Sequence, residues 1–159
     1  MKYYRRLTKE ELEPLEQEFI EFLVVNGITA DDWEDIRVNQ PEKVEKMIDL
    51  FSEVIFEGIF RKARFLEIRT RQFVHAYQCL EGKIVLAGAE TGDPAVDLSK
   101  HIADDKSSVV PDVRIFMTEK EYHKKREHEL FDMTEKGCTI SDGHLFKTLS
   151  LAYIESRHG

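Results

Sequence analysis

Apolar positions along the chain fall into three stretches with different periods. From residue 9 to 60 they recur every three or four positions, as on a helix. From 63 to 90 they alternate, or run together among β-branched and aromatic residues, and beyond 119 the helical period returns. In the first stretch Leu12, Leu15, Phe19, Ile20, Phe22 and Leu23 predict a helix over 9–26. It is opened by the capping box Thr8-Lys9-Glu10-Glu11 and stopped at Gly27, with Pro14 expected either to kink it or to shift its regular start to residue 13. Thr29 to Asp32 caps a second helix over 30–39 that carries Trp33 and Ile36. Pro41 starts a third over 41–60, where its missing N–H costs nothing. The stripe Val44, Met47, Ile48, Phe51, Val54, Ile55 and Ile59 lies opposite Glu42, Glu45, Asp49 and Glu53.

The middle stretch contains no proline, and Glu81-Gly82 punctuates it as a turn. It predicts strands over 63–71, 72–80 and 83–90. Residues 90–112 are irregular, with turn residues Gly92-Asp93-Pro94, a short helix from about Ala95 to Asp104, and loop at Ser107-Ser108 and Pro111. A fourth strand is expected at 112–117, where Val113, Ile115 and Met117 alternate with Asp112, Arg114 and Phe116. Thr118-Glu119-Lys120-Glu121 fits the capping box again and predicts a helix over 119–136 whose first half projects from the body. A last helix is expected over 142–156, with Leu145, Phe146, Leu149, Ala152 and Tyr153 inward. The fold class is therefore α+β. An antiparallel sheet of about four strands is covered by N-terminal and C-terminal helices in a single domain, 1–159.

Composition narrows this picture rather than redrawing it. At 159 residues, 42% hydrophobic and 34% charged, the chain can bury one substantial core. No apolar run approaches the roughly 20 residues needed to cross a bilayer, so no membrane role is expected. The N-terminus lacks the apolar core of a secretory signal, and Cys79 and Cys138 form no pattern, which suits a reducing cytoplasm. The net charge of −8 is carried by residues 1–57, with 7 Lys/Arg against 15 Asp/Glu. No nucleic-acid partner is expected from so acidic a front half. A local exception is Arg61, Lys62, Arg64, Arg69 and Arg71 against the single Glu67.

Four constellations could carry chemistry. Arg69, Arg71, Phe73, His75 and Tyr77 lie in the meander, and residues two apart on a strand share a face. Phe73, His75, Tyr77 and Cys79 would line one side, with Val74, Ala76 and Leu80 on the apolar other. Arg69, Arg71, His75 and Tyr77 are thus the expected ligand-binding residues, for an anion or a partner strand. The alternative is that His75 and Tyr77 pack under a helix. Asp97, His101 and Asp105, at i, i+4 and i+8, are the metal-ligand possibility, against a solvated acidic helix face; no metal or other cofactor is expected. His123, Glu127, His128 and Asp132 read as ion pairs on an exposed helix, since histidines five apart do not share one ion. Cys138, Asp142 and His144 are the residue types of a nucleophilic site without a recognisable oxyanion donor.

The segments YRRLTKEELEPLEQEFIEFL at 4–23, ITADDWEDI at 28–36, FSEVIFEGIF at 51–60, FLEIRTRQFVHAYQ at 65–78 and MTEKGCTISDGHLFK at 133–147 resemble a family of small uncharacterised proteins. That family is a domain of unknown function seen mainly in Bacteroidetes-type bacteria. The resemblance implies one compact bacterial cytoplasmic domain and assigns no activity. The expected function is a non-enzymatic interaction or regulatory module with a protein partner or a second copy of itself. The alternative is a small-molecule-binding or hydrolytic enzyme with a pocket between sheet and helices.

Overall fold

A computed structural model describes residues 3–101 and 112–158. Two compact units divide the chain, residues 1–61 and 62–159.

The first unit is helical. Thr8 accepts from the Glu11 N–H, and the Glu11 carboxylate accepts from the Thr8 N–H at 2.8 Å, closing the predicted capping box at the head of α1 (Lys9–Leu12). Pro14 sits in a 3₁₀ turn, Glu13–Leu15, that interrupts the predicted helix between α1 and α2 (Glu16–Val25), so the regular helix resumes at residue 16 and not at 13. The Thr29/Asp32 box opens α3 (Ala30–Asn39), and α4 (Pro41–Lys62) follows one residue later. Leu23, Ile28, Ile36 and Met47 form the buried centre, with Phe19, Phe22, Trp33 and Val44 packed round it. Phe51 is buried and meets Phe19 edge-on with ring centroids 5.0 Å apart. The first residues run beside α4. Tyr4 stacks on Phe56 and Phe60, the Leu7 N–H donates to the buried Ser52 hydroxyl at 2.9 Å, and Arg6 pairs with Asp49 at 2.7 Å.

The second unit holds an antiparallel sheet of five strands in the order β4-β3-β2-β1-β5. Its strands are β1 (Phe65–Arg69), β2 (Phe73–Cys79), β3 (Lys83–Thr91), β4 (Val113–Glu121) and β5 (Thr139–Ser141). The fold is thus α+β as expected, with one strand more than the four predicted. Thr139–Ser141, which falls between the two C-terminal helices expected over 119–136 and 142–156, pairs with Phe65–Glu67 along the other edge of β1. One face of the sheet is the core expected from Val74 and Ala76. These residues, with Ala87 and Ala89, pack with Leu98 of α5 (Leu98–His101) and with Leu145 and Leu149 of α7 (His144–His158). Val113, Ile115 and Met117 complete that layer from β4. Leu80, predicted for the same face, lies beyond the strand and is exposed. Gly143 opens α7 at φ +93°, and the Phe65 ring occupies the space a Cβ would need, 2.6 Å from it.

A helix starting at 119 is a prediction the structure corrects. Residues 118–121 continue β4, pairing with Lys83–Leu86, and α6 begins only at Arg126 and ends at Glu135. The sequence TEKE satisfies a capping box and an exposed edge strand equally well, and the nine-residue pairing with β3 decides for the strand. Nor does the 119–129 region project as a helix. Tyr122 donates to the Leu80 carbonyl at 2.7 Å, and Glu129, buried, accepts the His123 N–H at 3.1 Å. Arg126 locks the α6 start to the sheet, donating to the carbonyls of Ala63, Cys79 (2.9 Å) and Leu80 (3.2 Å).

Candidate functional site

Strand register decides which side chains can meet. On the sheet face opposite the α7 layer, His75 stands across from Ile68 on one side and Gly88 on the other, and Gly88 stands across from Phe116. The row on one flank is Phe73, Glu90 and Arg114, and the row on the other flank is Leu66, Tyr77, Leu86 and Thr118. His75 is therefore at the centre of an aromatic and charged cluster. Its ring lies 4.6 Å from Phe73 and 6.3 Å from Tyr77, and meets Phe116 edge-on at 5.7 Å. Gly88 makes that last contact possible. A Cβ there would lie 2.4 Å from the tip of Phe116 and 3.1 Å from His75, so the two rings close over a bare stretch of backbone.

The charges at the rim are paired with one another. Arg114 donates to Glu90 Oε2 at 2.8 Å while its guanidinium lies 4.6 Å from the Phe116 ring centre. Glu90 Oε1 is 3.4 Å from His75 Nε2, out of line for a hydrogen bond, and Nε2 is shielded from solvent without another partner. The Arg114 hydrogen bond, with a smaller contribution from His75, holds the Glu90 carboxyl below its usual range. Towards the opposite end of the face, burial pushes the Tyr77 hydroxyl and the Cys79 thiol each up to about 12. Both stay neutral at physiological pH, and neither is an activated nucleophile.

The predicted ligand residues separate into three places. His75 and Tyr77 share the face just described. Arg69 pairs across the ladder with Val74 and so points to the other side, where it donates to Glu67 at 3.3 Å. Arg71, in the β1–β2 turn, reaches Asp97 at 3.2 Å. The guanidinium that joins the aromatic face is Arg114, and Glu90 and Phe116 come with it. The alternation of 112–117 had already put Arg114 and Phe116 on one side; only the pairing of β4 with β3 shows that this side is also that of His75.

The other constellations take structural roles where they are described. Asp97 accepts from the Ser99 N–H and hydroxyl as well as from Arg71, which lowers its pKa, and α5 is only four residues long here. Asp105 lies outside the described residues. No group of three or more His, Cys, Asp or Glu placed to hold a metal ion occurs among the described residues. His123 and His128 do not share one helix, since His123 precedes α6. Asp142 accepts from the His144 N–H at 2.9 Å and so caps α7, while burial raises the pKa of the free Cys138 thiol.

No helix among the described residues is long and apolar enough to cross a membrane. Three surface depressions are open hollows, at the β2–β3 hairpin and β4 end (Leu80, Lys83, Lys120), beside α1 and Phe19, and round Phe65 and Phe146. His75 and Tyr77 line none of the three. Comparison with curated proteins and with solved structures finds no significant match to either. A family model does match, over residues 1–153, which is nearly the whole length and includes every strand and the centre of the aromatic face. The chain belongs to the family of unknown function DUF6495.

Proposed function

We propose that this chain is a non-enzymatic interaction module of the cytoplasm, and that it meets its partner through the β2–β3–β4 side of the sheet. The observation that carries this reading is that the charges at the rim pair with each other and that the hydroxyl and thiol beside them are not activated. Arg114 is spent on Glu90, and Tyr77 and Cys79 are held neutral by burial. A catalytic site would aim such groups into a cleft, whereas here they frame half-buried aromatics, the usual make-up of a protein contact surface. The free thiols of Cys79 and Cys138 support a reducing compartment.

One observation favours a second reading, a small-molecule site. His75 Nε2 is a buried polar atom without a hydrogen bond, and a ligand could supply the partner. The two readings part on turnover. Ester, phosphoester and amide substrates are expected to be left untouched by the protein. Hydrolysis that disappears in His75→Ala or Tyr77→Ala, with the fold retained by circular dichroism, would replace the interaction reading with the enzymatic one.

A further inference from the structure

The outward edge of β4 is the least satisfied part of the sheet. Over Val113–Glu121 the strand pairs with β3 on one side, and on the other its backbone groups have no hydrogen-bond partner among the described residues. Edge strands are ordinarily blunted by proline, by bulges or by lysine. Between Val113 and Met117 there is none of these; the one charge there, Arg114, is paired within its own sheet with Glu90, and Glu119, Lys120 and Glu121 gather at the far end.

We propose that this edge pairs with the same edge of a second copy, antiparallel and centred on Phe116, so that two sheets become one. The proposal rests on the interaction-module reading, names its partner, and places the contact at the β4 edge of that side of the sheet. A two-fold axis normal to the sheet keeps each face on its own side, so only residues of like parity stand opposite one another. Centring on Phe116 sets its ring against its own copy, Arg114 against Thr118 and Ile115 against Met117. The ladder stops short of Asp112, whose backbone turns to φ +66° before the strand begins. The α7-side apolar layer then runs on across the seam through Ile115 and Met117. Centring one residue later opposes Arg114 to Lys120 twice, a like-charge contact. Centring two later buries Ile115 against Glu121 and Phe116 against Lys120. Centring one residue earlier shortens the ladder. The self-matching apolar pattern of Ile115, Phe116 and Met117, and the like-charge contact in the next register, therefore select a second copy, in one register.

Light scattering on a sizing column, up to millimolar protein, is expected to give twice the chain mass. Phe116→Lys and Phe116→Glu should each lose the dimer, by placing like charges on the axis, and mixing the two variants should restore it. A wild-type monomer throughout, or a dimer that survives in both variants, overturns the proposal. Should circular dichroism show that the Phe116 variants are unfolded, two exposed positions decide instead. Arg114→Cys and Thr118→Cys should form a disulfide-linked dimer only when mixed; no link on mixing, or equal linking by either alone, overturns it. A monomer that also turns over none of the substrates leaves the interaction reading standing without this partner. Hydrolysis dependent on His75 removes that reading whatever the mass.

Discussion

At the scale of single residues, the absence of a side chain at 88 organises the candidate site as much as any group present. Gly88→Ala should push the Phe116 ring off His75 and cost about 1–2 kcal/mol, read from urea unfolding. In a Phe116→Ala background the same change should cost much less, because the clash is with the ring tip and not with backbone. Equal costs in both backgrounds would show that the glycine serves the backbone instead. Arg126 is the second such residue. It satisfies three carbonyls at the end of the sheet, so Arg126→Ala should cost about 2–3 kcal/mol. Arg126→Lys should recover only part of that, since an ammonium cannot span the fork of a guanidinium. What alternation could reveal at this scale, it did: Phe73, His75 and Tyr77 share a face. Arg69 could not be placed, because its side depends on which residue of β2 it pairs with, and that register is a property of two strands at once.

At the scale of elements, the helices of the first unit were the legible part. Their caps and stripes are local, and α3 spans the predicted 30–39. One of those caps has a pH signature. Hydrogen bonds from Arg5 and Thr8 lower the Glu11 pKa from its ordinary 4.5 to about 2. Its folded value lies below the unfolded one, so the α1 capping box contributes its full stability above pH 4.5 and loses it as pH falls toward 2. A Glu11→Gln variant should therefore be less stable than wild type at neutral pH, with the gap closing over that interval; a gap independent of pH would rule out the charge as its origin. The strands were less legible. β5 is three residues long, too short for any period, and exists through its partner β1. β4 was shortened and α6 lengthened because a capping motif is local evidence and a nine-residue ladder is not.

At the scale of the whole molecule, charge and topology set the terms for any partner. The excess of −8 lies in residues 1–57, and the remaining residues balance at 16 Lys/Arg and 16 Asp/Glu. Steering of a phosphate backbone needs a concentrated positive field. Fluorescence anisotropy with labelled duplex DNA should stay flat even at low salt, and a salt-dependent rise would reveal a basic surface that the charge balance hides. Association through the proposed β4 seam should likewise change little with ionic strength, because its contacts would be backbone hydrogen bonds and apolar side chains.

The order β4-β3-β2-β1-β5 leaves the sheet with one long margin and one of only three residues. Joining two copies along the long margins uses both of them up and places a short β5 at each outer limit. Three residues offer too little ladder to recruit another chain, so growth ends after a single step. A sheet edged equally on both sides would risk open-ended polymers; in the proposed assembly the unequal margins would end growth at the pair.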